Sequence, residues 1–350
     1  MRDPSLDDLD LDLVAALQRA PRAPINVLAD VLGSSASTIG RRLHRLQAEH
    51  LLRVVGQVDW AVFSDANPRH VWLRTDPGRS VGVAQRLAER PETQLVALTS
   101  GEADVYCVVH PTGRDQVRDL LTRVIPSVEG VRSTQSDLVL RPVTRADAWT
   151  LDRLSGRQTA DLARYGHVTA AAAPADPAEP PSAHERAAAR LLYRDARIGS
   201  GELARELGVS QSTAYRVAQS VLERGVIRPR VEVEPPLLGM RLEVILSLTT
   251  HPGAITHVAD QLARHPSARY VSVVAGAGSV IHHGVFRDEA ALEGFLSADL
   301  AALPGVTGLR VSIMLDVLRR YWIKRTGVRL GAAGIPFPGA TVAMEEAEGA

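Results

Sequence analysis

The chain has a single cysteine, a single lysine and no net charge, and each scarcity narrows what it can be. One thiol, Cys107, excludes an internal disulfide and fits a reducing compartment, so the expected location is cytoplasmic. It lies in the apolar run VYCVV, where packing is its expected role. No run of about 18 apolar residues occurs, so no membrane span is expected. The opening MRDPSLDDLD is acidic where a secretory signal would be basic and then apolar. Forty basic residues balance forty acidic ones, so any hold on nucleic acid has to come from local charge. Apart from Lys324 the positive charge is guanidinium, which suits bidentate phosphate and guanine contacts but also follows from genome composition. At 45% hydrophobic and 23% charged, the composition is that of an ordinary globular protein.

What the chain does have is an internal repeat. LGSSASTIGRRLHRLQAEHLL (32–52) returns as LGVSQSTAYRVAQSVLERGVI (207–227), with Leu32 matching Leu207, Gly33 matching Gly208 and Arg41 matching Arg216 at a constant offset of 175. A fixed offset through both blocks indicates duplication, which sets the architecture before any element is assigned.

Ser5-x-x-Asp8 reads as a capping signal for a first helix with Leu6, Leu9, Leu13 and Leu17 on one face. A second helix follows Pro21 and stops at Gly33, and a third turns Ile39, Leu43 and Leu46 inward. LLRVVGQVDWAVF then reads as a hairpin wing. From 68 to 143 the pattern changes to strand, helix, strand, strand, helix, strand. The second half repeats both parts. The expected fold class is therefore α+β, with two copies of a winged helix-turn-helix followed by a ferredoxin-like βαββαβ sandwich. The expected divisions are 1–62, 63–143, a helix and Ala/Pro-rich linker at 144–183, 184–236, 237–325, and a flexible tail at 326–350.

A helix-turn-helix hides one face of its third helix and offers the other to the major groove. Arg41, Arg42 and Arg45 with Thr38 share the offered face, and Ser34, Ser35 and Ser37 crowd the helix N-terminus, where hydroxyls and amides grip phosphate. Arg41, Arg42, Arg45 and Arg53 against Glu49 give Ser34–Gly56 a local charge of +3. A solvated cationic helix face has the same appearance. In the second copy only Arg216 stands where the three arginines were, with Gln211, Ser212, Thr213 and Tyr215 beside it. That copy either reads a different sequence, mainly holds phosphates, or has lost DNA binding. Double-stranded DNA is the expected partner.

The run LDDLDLDLVAALQRAPRAPINVLADVLGSSASTIGRRLHRLQAEHLL and the strand-loop-strand SGEADVYCVVH (100–110) resemble the DNA-binding and RAM-type effector-sensing domains of the Lrp/AsnC (feast/famine) family of transcription regulators. The resemblance implies sequence-specific regulation, self-association through the sensing domains, and a small effector, commonly an amino acid, near Thr99, Ser100, Gly101, Glu102 and Asp104. A plain polar hairpin turn would use the same residues. The equivalent loop Gly276-Ala277-Gly278-Ser279 has no carboxylate for an ammonium group. With both sensing domains on one chain, the basic pair can form within one molecule, and such molecules can assemble into a higher oligomer.

Two other readings share the architecture. A DNA-compacting protein predicts similar affinity for unrelated sequences. Sirohaem decarboxylases resemble it too, but typically show a His-Asn-Tyr-like motif where this chain has TQLVALTSG and ARYVSVVAG. No nucleophile elbow or phosphate-binding loop occurs, and an enzyme is not expected. His282 and His283 alternate across a strand, and His251 and His257 have no carboxylate or thiol partner in the sequence pattern. Neither a metal nor a cofactor is expected.

Overall fold

The first helix starts two positions later than the Ser5 signal predicts. In the computed structural model, which describes residues 4–60, 64–166 and 181–334, Asp7 caps α1 (Asp8–Arg19) by accepting from the Asp10 amide at 2.9 Å. The Asp10 carboxylate returns the bond to the Asp7 amide, so two acids form the capping box in place of Ser5 and Asp8. Gly33, at φ +63, separates α2 (Ile25–Val31) from α3 (Ala36–Ala48). Leu13, Leu17, Leu28, Ile39, Leu43 and Leu46 close a core beneath them. Three further helices, α7 (Ala183–Arg194), α8 (Ser200–Leu207) and α9 (Gln211–Glu223), enclose a second such core in the other half. Between the two units, α6 (Gly156–Ala163) packs Leu162 onto the first core. The Ala/Pro-rich stretch 167–180 lies outside the described residues.

The expected wing is corrected by the pairing. β1 (Arg53–Val58) does not fold back on itself; it runs antiparallel to β6 (Ile227–Glu232) of the other half, from Arg53↔Glu232 to Val58↔Ile227. Residues 61–63 of the anticipated return strand lie outside the described residues. Burial explains the choice. Val55 and Val58 of β1 sit in the α7–α9 core, while Val233, just past β6, sits in the α1–α3 core, so each unit is completed by the other's chain.

The first sensing region runs β2 (Arg69–Thr75), α4 (Ser80–Ala88), β3 (Thr93–Gly101), β4 (Val105–Val109), α5 (Arg114–Asp119, continued by a π turn) and β5 (Val131–Thr144). The second runs β7 (Leu242–Thr250), α10 (Ile255–Arg264), β8 (Ala268–Ala275), β9 (Val280–Phe286), α11 (Glu289–Gly294, likewise continued) and β10 (Val306–Arg320). The two sheets join at both edges: β10 pairs with β3 and β5 with β8. Because β10 also pairs with β7, the order β10-β3-β4-β2-β5-β8-β9-β7 closes into an eight-stranded antiparallel ring with no free edge. Helices cover the outside on two separate cores, and Trp72, Tyr106, Ile245 and Ile281 fill the inside.

Beyond the ring the chain turns sharply at Tyr321-Trp322, both at positive φ, into β11 (Ile323–Thr326) and β12 (Arg329–Ala333). A two-residue turn of this kind ordinarily takes Asn-Gly. Here the Tyr321 hydroxyl accepts from the Val58 amide and the Trp322 indole donates to the Pro91 carbonyl, which hold the turn in place. The flexible tail expected from residue 326 does not begin there, since Leu330 is buried and its amide donates to the His50 carbonyl; residues 335–350 lie outside the described residues.

The halves meet reciprocally. Arg22 donates to the carbonyl of Ala196, and Arg197, 175 positions after Arg22, donates at 2.7 Å to the carbonyl of Pro21, 175 positions before Ala196. The same reciprocity governs β1 and β6, where Arg53↔Glu232 mirrors Gln57↔Arg228. A surface that meets its own copy in this way is an isologous interface, formed here within one chain.

Candidate nucleic-acid interface and ligand sites

At the start of α3, Ser35 is the N-cap and accepts from the Thr38 amide at 3.1 Å. Its hydroxyl also donates to Thr38 Oγ1, so these two groups serve the helix itself. Ser37 is exposed and Ser34 half-buried. The three arginines separate into two kinds. Arg42 reaches Asp7 at 2.7 Å and Asp10 at 2.8 Å, and Arg45 reaches the other Asp10 oxygen. Asp10 is 1% exposed, so this is a partly buried brace between α1 and α3. The Arg42 guanidinium in turn holds the Asp7 carboxyl below its ordinary range. Arg41 is exposed and makes no ion pair among the described residues. The two carboxylates reduce the local +3 to +1, and of the three arginines Arg41 alone makes no ion pair among the described residues.

Sequence reasoning missed the brace, although the repeat encodes it. Glu185, 175 positions after Asp10, accepts from Ser220 at 2.7 Å and Arg224 at 2.8 Å on α9. Burial works against its charge, but hydrogen bonds from Ser220, the Ser182 amide and Arg224 hold its pKa down to about 2. Arg216, the counterpart of Arg41, is again exposed. With Ser200, Gln211, Ser212 and Tyr215 it lines one open surface hollow. Tyr215 is 57% exposed. Thr213 lies apart from this group, bonded to the Ser210 cap through its amide and hydroxyl.

The sensing-loop residues are placed less as expected. Thr99 donates its hydroxyl to the Ala103 carbonyl at 2.8 Å, and Asp104 turns inward to accept from the amide and hydroxyl of Thr75. One Asp104 oxygen is thereby engaged in holding the turn. A Cβ on Gly101 would lie 2.5 Å from the Val311 carbonyl of β10, and φ there is +100. The glycine therefore admits the other half of the chain at this point. Ser100 and Glu102 are exposed, with Glu102 3.7 Å from Arg310. The Gly276 loop is wedged in the same manner: the first half's Asp137 accepts from the Ala277 amide at 2.7 Å and from the Trp72 indole at 2.8 Å.

A separate cavity of about 100 Å³ lies between the halves, where the ring meets the β1–β6 ribbon. Beside it Arg320 bonds Glu243 at 2.7 Å and lies near Glu234, while Arg325 bonds Glu232 and Glu234. His283 faces this cluster and Glu243 at 3.0 Å, whereas His282 points outward to stack on Phe295. Burial pushes His70 and His110 down to about 3, so both are neutral, and raises Cys107 to about 12. Among the described residues no cluster of His, Cys, Asp or Glu suits a metal ion, and no helix is long and apolar enough to cross a membrane.

These features define a class: a helix-turn-helix unit joined to paired βαββαβ sheets. The AsnC-type helix-turn-helix domain matches residues 6–47, and the Lrp/AsnC ligand binding domain matches twice, at 70–149 and 243–322. Together these span more than half of the chain, which belongs to the Lrp/AsnC family. An uncharacterized HTH-type transcriptional regulator of Pyrococcus abyssi is 27% identical over 134 residues, 38% of this chain and 85% of that protein. The HTH-type transcriptional regulator AldR of Mycobacterium tuberculosis is 29% identical over 133 residues, 37% of this chain and 74% of its own. In fold, the chain is similar over 98% of its length, and all of the other's, to the siroheme decarboxylase NirDL, with a TM-score of 0.61 at 12% identity.

Proposed function

We propose that the chain is a DNA-binding transcriptional regulator of the Lrp/AsnC type in which both three-helix units act as helix-turn-helix readers. The observation that carries this reading is the pair Arg41 and Arg216. At equivalent positions of the two third helices, each guanidinium is exposed, while acids at equivalent positions bind neighbouring side chains into the scaffold. A charge left free twice at the same place suits a phosphate or a base edge. Ser34, Ser37 and Thr38 flank the first reader, and Gln211, Ser212, Thr213 and Tyr215 the second. Because the readers differ, an asymmetric operator is favoured over a palindrome. Of the effector candidates, Ser100, Gly101 and Glu102 retain the exposure that amino-acid binding needs. The test is a footprint on the DNA upstream of the protein's own gene, with wild type and Arg41→Ala. Arg41→Ala weakens specific binding by about 1–3 kcal/mol. Unchanged operator affinity would falsify the assignment, and equal affinity for unrelated duplexes would favour a compacting role.

A second reading, an enzyme acting on a tetrapyrrole, is favoured by the fold shared along the whole tandem chain with NirDL, of which a structure in complex with an iron-uroporphyrin III analogue is also similar. Against it, the cavity of about 100 Å³ is well below the roughly 300–1,000 Å³ usual for larger ligands. An iron-porphyrin absorption band that stays with the protein through gel filtration would support the enzyme reading over the regulator.

A further inference from the structure

The cavity between the halves has one wall that the proposed regulator does not explain. Arg269, on β8, is 4% exposed and stacks its guanidinium over the Trp149 ring at 5.5 Å. Its Nε and Nη1 are buried without a hydrogen-bond partner, and no carboxylate forms an ion pair with it among the described residues. The acids nearest in effect, Glu243 and Glu232, are already engaged: Glu243 by Arg320 and His283, Glu232 by Arg230 and Arg325. Glu234 serves Arg320 and Arg325, and Asp59 and Asp147 serve Arg145 and Arg228. Five guanidiniums thus occupy five carboxylates, and Arg269 is a sixth with none. A buried charge without a partner is costly, and a fold keeps one where something brings the counter-charge.

We propose that this cavity binds a small organic monocarboxylate, its carboxylate closing on Arg269 and its apolar body lying against Tyr106, Val108 and Trp322. One unmatched guanidinium asks for one negative charge, which a carboxylate supplies. Inorganic phosphate would bring excess charge and leave the aromatic wall uncovered. The volume, about 100 Å³, admits a molecule of a few to about ten heavy atoms. Gln57, Val58 and Arg230 of the β1–β6 ribbon line the same space, so the occupant touches the strands that join the helical units to the ring. The site is separate from the 99–104 loop and does not depend on DNA binding.

The full-length chain is titrated with a monocarboxylate series from acetate through isovalerate to phenylacetate, following tryptophan fluorescence and the thermal midpoint. At least one member gives a saturable response, whereas phenylacetamide and inorganic phosphate give none. Arg269→Gln weakens that response about ten- to a hundredfold, as for loss of charge-assisted hydrogen bonds. If that variant fails to fold, Val108→Phe narrows the cavity without touching a charge and has the same effect. Glu102→Ala leaves binding unchanged. Silence across the series, equal binding of phenylacetamide, binding of phosphate alone, or sensitivity to Glu102→Ala each overturns the proposal.

Discussion

The two three-helix units solve one packing problem with different charges. In the first, Asp10 commits Arg42 and Arg45; in the second, Glu185 commits Ser220 and Arg224. Arg41 and Arg216 stay exposed in both. A cationic helix face is therefore two populations, charges that hold the helix in place and charges left for a partner. Counting basic residues along the sequence cannot separate them. The ribbon below the units differs more sharply. Glu232 sits between Arg230 and Arg325, whereas its counterpart 175 positions earlier is the uncharged Gln57.

The most severe way to break this comparison is Glu232→Gln, which gives the second half the residue of the first. It leaves Arg230 without a carboxylate and Arg325 with Glu234 alone, and costs about 3–5 kcal/mol of stability in denaturant unfolding. A loss below about 1 kcal/mol would mean the network contributes little, as some buried ion pairs do. Next come the braces. Asp10→Ala, which frees Arg45 and leaves Arg42 with Asp7 alone, costs roughly 2–3 kcal/mol, against about 1–2 kcal/mol for Glu185→Ala. Equal losses would erase the distinction between the units. On DNA, Arg42→Ala weakens binding less than Arg41→Ala while lowering stability more, measured by anisotropy and melting on the same preparations. The reverse order would place Arg42 at the groove.

The smallest effect is in acid. The Glu185 carboxyl is held from its ordinary 4.5 down to about 2, and Asp7 is also lowered, with hydrogen bonding from Arg42 the largest cause. Both folded-state values are depressed, so their stabilisation is present above the ordinary carboxylate range and is lost as pH falls; for Glu185 the loss runs from 4.5 toward about 2. Unfolding midpoints measured across that window decline, and Glu185→Gln flattens the decline. A midpoint in Glu185→Gln that falls as steeply as in wild type would assign the acid sensitivity elsewhere.

Much of this was legible in the sequence. The offset of 175 gave the duplication, and apolar periodicity placed α3, α9 and the strands of both sheets close to where they lie. Three features were not legible, for distinct reasons. β1 has the alternation of a strand, but its partner residues are 169 to 179 positions away, so a local hairpin was the natural inference. Gly101 suits a ligand and a tight seam alike, and its closeness to the Val311 carbonyl is visible only in the folded chain. Arg269 is one arginine among many in the sequence, and its isolation is visible only once the surrounding acids have found other partners.

The reciprocal contacts of Arg22 and Arg197 imply a freedom that two separate, identical subunits lack. In a symmetric dimer every substitution is made twice, and a side chain near the axis meets its own likeness, so a lone cation there would face another. Fusing the copies lifts that rule. One wall of the interior can drift while the opposite wall stays put, and gene duplication thereby becomes a route to a lopsided chamber.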